Sequence, residues 1–301
     1  MSSRRIGSLL NSLVAGRGAI LFEGVHTTGW LGHPRLADKP QVVRVHNREE
    51  AYYRQLARTT SSPLRKYYFW REARRLARYE PEVLAQADAL LPIASAEADW
   101  CRKLTTAPVL HQVAYGYDGQ VRSKVGLGDY ALFHAGLHVE DNVAMAMSTL
   151  RLFGQLPERR LVIAGKTPPQ RLVDAVAGIS NAELVATPTA DRMRQLIADA
   201  HVVIVRSRHD AGFKVKVLES LAMGRHVLAD SASVAGAPVL AQALRIVENE
   251  SSWPAAIREV FGESFTEEMR DLRTGLLATY ASDSMARELI ERLRKLSFNT
   301  N

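Results

Sequence analysis

The stretch Val202–Asp230, VVIVRSRHDAGFKVKVLESLAMGRHVLAD, decides the fold. Its first four residues are apolar at every position, the pattern of a strand covered on both faces. A polar loop follows, Arg206–Asp210. Gly212 then opens a helix in which Val215, Leu218, Leu221 and Ala222 recur at helical spacing. Met223-Gly224 ends that helix, Gly224 being suited to a left-handed C-cap. His226–Ala229 starts the next strand at once. Strand, loop, helix and strand make a βαβ unit. Its loop falls at the carboxyl edge of a parallel sheet, where open α/β sheets bind ligands.

The loop has a chemistry of its own. Free amides at a helix amino end attract anions, and Lys214 and Lys216 sit in or beside the first turn. Glu219 follows, where a carboxylate can accept hydrogen bonds from a ribose diol. Cations for a diphosphate and a carboxylate for a nucleoside sugar suit a sugar nucleotide. Periodicity alone also fits a solvated helix face with ordinary surface lysines.

With 301 residues, 47% hydrophobic and 24% charged, the chain has the composition of a soluble globular protein and length for two domains. No apolar run approaches the roughly 20 residues that span a bilayer, and the start, Met1-Ser-Ser-Arg-Arg, has no signal-peptide pattern. The single cysteine, Cys101, excludes a disulfide framework and a cysteine-cluster metal site. A cytoplasmic protein is expected, with the inner membrane face as its one peripheral location. The net charge of +7 favours anionic partners, but no nucleic-acid motif accompanies it. Much of the charge lies in Arg65–Arg78, where basic residues interleave with Tyr67, Tyr68, Phe69 and Trp70. As a helix this segment either packs its aromatics on its own domain or lies on an anionic membrane.

Taken in order, residues 1–14 read as an amphipathic helix. Ala19–Phe22 and Gln41–Val45 read as strands, followed by helices over about 48–59 and over 63–87, the second interrupted near Pro81. Ala89–Ile93 is a strand, the helix around 95–104 takes Ser95 as N-cap, and Val109–Ala114 is the last strand of this half. Gly116–Gly128, rich in glycine, reads as an interdomain linker. The second half alternates: strands Tyr130–His134, Arg160–Ala164, 183–186, Val202–Val205, His226–Ala229 and Leu244–Val247, with helices over 140–154, 169–178 and 189–199. Helices then fill 251–262 and 265–296. This rhythm predicts an α/β fold with a parallel sheet under helices, a Rossmann-like domain.

The segment GFKVKVLESLAMGRHVL resembles the nucleotide-sugar signature of retaining GT-B glycosyltransferases of the family 4, group 1 type. That pattern runs roughly E-G-F-G-x-x-x-x-E-A-x-A-x-G-x-P-V. Glu219 falls on its second glutamate, which binds the ribose; Ala211 falls on the first, and Lys214 replaces the second glycine. Phe22-Glu23-Gly24-x-His26, Val43-Arg44-Val45-His46-Asn47-x-Glu49 and Tyr52-Tyr53 look like the N-domain of a bacterial subgroup. Phe133-His134-Ala135-Gly136 and Val162-Ile163-Ala164-Gly165-Lys166 fit its C-domain. Where many relatives carry G-R-x-x-x-x-K, this chain has Gly136-Leu137 and Asn142, which leaves the diphosphate to Lys214 and Lys216.

The resemblance implies two Rossmann-like domains facing a cleft. Residues 1–118 make an acceptor-side domain that lacks the usual first strand and glycine-rich loop, 128–282 the nucleotide-sugar domain, and 283–301 a helix crossing back. It implies His46, Lys214 and Lys216 as catalytic residues, and Gly136, Lys166, Thr187, Gly212, Phe213 and Glu219 on the donor. Glu23, His26 and Asn47 fall on the acceptor side. Read singly, His46, Glu23 and His26 fit structural roles at strand ends equally well, His134 fits a packed core, and Lys166 fits a solvated surface. The partners implied are a nucleotide sugar, which is the donor substrate, and a hydroxyl acceptor of polysaccharide or glycolipid type. A cofactor is not expected, nor is a catalytic metal. The alternative is a homologue that has lost turnover and only binds a sugar nucleotide or a protein partner.

Overall fold

The computed structural model describes residues 7–60, 62–112, 117–210 and 212–298. The expectations for residues 1–6, Val113, Ala114, Gly116 and Ala211 lie outside the described residues. The chain divides into two compact units, residues 1–114, 211–213 and 284–301 in one, and 115–210 and 214–283 in the other.

The first unit is built on three parallel strands in the order β1 (Ile20–Glu23), β2 (Gln41–Val45), β3 (Ala89–Pro92). Its helices are α1 (Gly7–Ala15), α2 (Glu49–Thr59), α3 (Pro63–Leu84), α4 (Ser95–Arg102) and most of α12 (Ser282–Phe298). Apolar side chains on one sheet face, Phe22, Val43, Val45 and Leu90, pack with Leu36, Leu84 and Cys101. On the other face Val42, Ala89 and Leu91 receive Leu289 and Leu293 of α12. Burial on both faces accounts for the near-continuous apolar strands.

The second unit holds six parallel strands in the order β6-β5-β4-β7-β8-β9. These are β4 (Tyr130–Ala135), β5 (Arg160–Gly165), β6 (Ala182–Ala186), β7 (Val202–Val205), β8 (His226–Ala229) and β9 (Arg245–Ile246). The connecting helices are α5 (Glu140–Gly154), α6 (Gln170–Ala177), α7 (Ala190–Asp199), α8 (Val215–Met223) and α9 (Ser231–Val234), followed by α10 (Trp253–Phe261) and α11 (Glu267–Leu277). Phe133, Ile163, Ile204 and Leu228 of the sheet meet Phe153 and Trp253 of the helices in one core. The chain winds outward from β4 through β5 to β6, then returns to β7 and winds the other way. The switch point therefore lies between β4 and β7, where such sheets open a crevice at their carboxyl ends.

Several expectations are corrected. Helix α8 begins at Val215, three residues beyond Gly212, whose φ of 71° belongs to the preceding turn. Gly224 is extended, with φ −80° and ψ 163°, so it is not a left-handed cap. A Cβ there would lie 2.8 Å from both the Ser220 carbonyl and Val203 Cγ2, so close packing demands glycine. Helix α3 runs unbroken through Pro81, because Leu76, Glu80, Val83 and Leu84 are buried on either side of it. Ala94, rather than Ser95, takes the N-cap position of α4. Among the described residues, Val109 bridges Leu90, and Leu110 and Gln112 donate their N–H groups to Leu90 O and Pro92 O (each 2.9 Å), without forming a regular strand. The helix expected over 265–296 divides at a short 3₁₀ turn, Ala278–Tyr280. Residues 117–128 are no free linker: Arg122 N–H donates to Ala222 O (2.6 Å) and Gly126 pairs with Phe265. Of the aromatics of 65–78 only Phe69 closes onto its own domain, against Tyr53; Tyr67, Tyr68 and Trp70 are exposed.

Candidate functional site

Two loops flank the switch point of the second unit, Gly136–Val139 after β4 and Arg206–Asp210 after β7. They lead to helix amino ends of opposite character. Helix α5 has Glu140 and Asp141 in its first turn, and Asp141 draws in two side chains of the neighbouring loop, the Arg208 guanidinium (Nη1 at 3.3 Å) and the His209 ring (Nε2 at 3.7 Å), whose pKa burial lowers. Its dipole and the Arg208 charge are already satisfied from within. Helix α8 has no acidic residue in its first turn and carries Lys214 at its N-cap and Lys216 within that first turn. Of the two, only the amino end of α8 is without an acidic side chain in its first turn, the electrostatic setting that favours an anion.

Lys216 is held by the sheet edge. Its ammonium donates to the Arg206 carbonyl at the end of β7 (2.8 Å) and lies 5.8 Å over the Phe133 ring of β4. Burial lowers its pKa to about 8, although the Asp230 carboxylate pulls the other way. Beneath it, Ser220 Oγ donates to Lys216 O (2.6 Å), so its oxygen accepts from His134 Nε2 (3.2 Å). Burial, reinforced by the Lys216 charge, pushes His134 down to about 4. His134 is thus a neutral core histidine that fixes the first turns of α8. Asp230 is itself occupied, accepting from Ser207 N–H (2.9 Å) and Ser233 N–H (2.9 Å). Glu219 lies on the exposed side of α8, and withdrawal of water there raises its carboxyl pKa.

The remaining donor-side candidates lie along the same edge. Gly136 O accepts from Val139 N–H and from Asn142 Nδ2, each at 3.1 Å. Lys166 is exposed just past β5. Thr187, past β6, has φ 49°, and Thr167, past β5, has φ 54°. A threonine in the left-handed region is strained, and the two are tied by Thr167 N–H donating to Thr187 Oγ1 (3.1 Å). Gly165 permits this close approach of the strand ends. A Cβ on it would strike the Ala135 carbonyl.

In the first unit, Glu23 ends β1 and joins Arg44 of β2 and the candidate His46 just past it. Its carboxylate accepts from Arg44 Nη1 (2.7 Å) and lies 3.1 Å from His46 Nε2. Gly24, with φ 83°, turns the chain so that His46 Cδ2 lies 3.4 Å from where its Cβ would be. His26 faces Glu49 instead (3.3 Å). Gly212 and Phe213 group with this unit: Gly212 N–H donates to Glu97 Oε1 (3.4 Å), and Asn47 Oδ1 lies 2.5 Å from its absent Cβ. Phe213 is buried. Glu23, His46 and Arg44 therefore form one cluster, Asn47 meets Gly212, and His26 belongs to a separate pair.

Sequence reading missed Asp141, Arg208, His209, Ser220, Asp230 and Glu97. The acidic first turn of α5 was the one signal for Asp141; the others show their role only through partners far along the chain. Among the described residues no group of three or more His, Cys, Asp or Glu side chains is arranged to hold a metal ion. Among the same residues no helix is long and apolar enough to cross a membrane.

Residues 128–263 match the family model described as Glycosyl transferases group 1. No curated protein matches the chain by sequence. Among similar solved structures is sucrose-phosphate synthase from Thermosynechococcus elongatus, with TM-score 0.74 and 15% identity, covering 97% of this chain and 77% of that one. The GtfA/B complex gives 0.66 and 13%, covering 96% and 59%. The pneumococcal O-GlcNAc transferase GtfA, in complex with UDP and GlcNAc, gives 0.61 and 12%, covering 87% and 53%. This chain spans little over half the length of the last two. The likeness establishes the fold: α/β units on parallel sheets, as in GT-B glycosyltransferases.

Proposed function

We propose that this chain, whose residues 128–263 match a group 1 glycosyltransferase model, moves a sugar from a nucleotide-diphosphate sugar to a hydroxyl acceptor with retained configuration. The observation that carries this reading is the amino end of α8 at the switch point, without acids and bearing Lys214 and Lys216. As the glycosidic bond breaks, negative charge collects on the leaving diphosphate. Helix amides and two ammonium groups fixed in advance stabilise that charge, by several kcal/mol where water is excluded. No metal takes part in this reading. Glu219 accepts the ribose hydroxyls, Gly136, Lys166 and Thr187 border the nucleoside, and Gly212 and Phe213 shape the turn beside the diphosphate. His46, oriented by Glu23, positions the transferred sugar; Glu23, His26 and Asn47 serve the acceptor, a glycan or a lipid-linked glycan.

A thermal-shift screen against UDP, GDP and their common sugars tests binding, since a ligand of the folded state raises Tm by mass action. UDP comes first, being the nucleotide in complex with the O-GlcNAc transferase of similar fold. Lys216→Ala should cut turnover by orders of magnitude; near-normal turnover overturns the assignment. Proton linkage gives an independent check. An anion bound beside Lys216 favours its charged form, so affinity should fall as pH rises past about 8. Lys216→Met should flatten that profile.

A second reading, a binding module without turnover, is favoured by Ala211, which stands where the family pattern has its first glutamate. It predicts the same thermal shift and pH profile, with no sugar released or transferred from the nucleotide that binds.

A further inference from the structure

Helix α3 leaves one face of the first unit without a partner. Leu64, Tyr67, Tyr68, Arg71, Arg75 and Arg78 recur at three- and four-residue spacing along that face, which continues through the exposed Lys66, Trp70 and Arg74 on the flank toward α2, while Ala73, Leu76, Val83 and Leu84 are buried. Leu64 is 84% exposed, Tyr67 61%, Tyr68 53% and Trp70 48%. Phe69 is half-buried and meets Tyr53 at 6.0 Å between ring centres. Tyr67 and Trp70 stack on each other at 6.1 Å, and the Arg74 guanidinium lies 4.9 Å over Trp70. Between α2 and α3 a cavity of about 820 Å³ opens, its walls carrying Arg54, Arg58, Lys66, Arg74 and Arg78.

The acids nearby do not neutralise this face. Glu72 is taken by Arg75 (3.0 Å), and Arg54 pairs with Glu50. Glu80 is buried, accepting the amide N–H groups of Glu49 and Glu50 at 2.9 and 2.8 Å. Among the described residues, no carboxylate lies within ion-pair distance of Arg58, Lys66, Arg71, Arg74 or Arg78.

We propose that this face of the α2–α3 hairpin docks on the surface of an anionic lipid bilayer. The proposal does not depend on the transferase reading. Tyr and Trp rings settle at headgroup depth, a leucine enters the acyl boundary, and arginine and lysine stems lie along apolar surface with their charges at lipid phosphates. Other occupants fit less well. A nucleic acid or an acidic glycan would use the cations and leave Leu64 in water, and a second copy would bring two like-charged faces together.

The test is flotation of the full chain with phosphatidylcholine vesicles, with and without phosphatidylglycerol, at low and at high salt. Binding is expected to the phosphatidylglycerol vesicles only, and to weaken at least about tenfold at high salt. The double reversal Lys66→Glu/Arg74→Glu should lose at least about tenfold in binding. Leu64→Ser/Trp70→Ser should bind severalfold more weakly yet keep the salt dependence. All four positions lie on the surface of the hairpin, and an unchanged far-UV spectrum and Tm confirm that the variants fold. Equal binding to neutral vesicles overturns the proposal, as does indifference to either double variant. Binding of heparin by Leu64→Ser/Trp70→Ser as tightly as by the parent, without binding to vesicles, overturns it in favour of a polyanion site.

Discussion

Gly165 and Gly212 are both glycines beside candidate residues, and they are glycines for different reasons. A Cβ on Gly165 would run into the Ala135 carbonyl and lie 2.8 Å from Leu137 Cγ, backbone and core that cannot step aside. Gly165→Ala should therefore destabilise the second unit by at least about 3 kcal/mol, read as a lower urea midpoint. A loss under about 1 kcal/mol would show that the strand ends can part. At Gly212 the obstacle is the φ of 71°, together with a side-chain tip, Asn47 Oδ1, that can turn away. Gly212→Ala should cost only about 1 kcal/mol, and adding Asn47→Ala should recover the steric part while leaving the conformational part. What the sequence discloses at this scale depends on separation along the chain. Lys214, Lys216 and Glu219 could be picked out together because one helix turn joins them. The contact of Arg208 with Asp141 spans 67 positions and that of His134 with Ser220 spans 86, and no local pattern registers either.

Elements were legible where burial on both faces wrote a continuous apolar run. Gln41–Val45, Val202–Val205 and His226–Ala229 are strands with the bounds that their residues imply. Helix ends were harder to read, because distant side chains settle them. The carboxyl end of α8 is closed by Arg273 of α11, not by a left-handed glycine. Its Nη1 donates to Leu221 O (3.2 Å), Gly224 O (2.6 Å) and Ser123 Oγ (3.1 Å), and its Nη2 to Arg225 O. Burial lowers even this guanidinium to about 9, so its bonds to carbonyls must offset a real desolvation penalty. Arg273→Met strands those carbonyls and should cost about 3 kcal/mol in equilibrium unfolding. Arg273→Lys should rescue little, since a single ammonium cannot reproduce the fork. The same logic explains α3. A proline inside a helix costs about 3 kcal/mol, yet burying Val83 and Leu84 returns roughly 1.5–3 kcal/mol each, and the helix continues.

Across the whole molecule, the two units carry opposite responses to acid. The second holds four histidines that burial keeps neutral. His134 and His226 are both pushed down to about 4, and His201 and His209 are lowered as well. His201 and His226 lie 5.1 Å apart, with Nε2 atoms donating to Val260 O (2.7 Å) and Glu263 O (3.0 Å). An unfolded histidine takes up its proton near pH 6.5 and these do not. Their stabilisation is thus complete above that pH and is lost as pH falls toward about 4, by up to about 1.4 kcal/mol per pH unit for each unmatched proton. In the first unit Glu80 works the other way. Burial raises its carboxyl to about 7, so between there and about 4.5 the native state holds a proton that the unfolded chain has given up, and stability rises on acidification. His111, lowered by burial in the same unit, offsets only part of this, one histidine against four. Hydrogen exchange compared at about pH 7.5 and about pH 5, corrected for intrinsic rates, should therefore show protection falling in β4, β7 and β8 while β1–β3 hold. His226→Gln keeps a donor toward Glu263 O but removes the titration. It should lower Tm at neutral pH and shrink the drop in Tm between the two conditions. Equal loss of protection in both units, or an unchanged drop in the variant, would mean that these histidines do not set the acid limit of the fold.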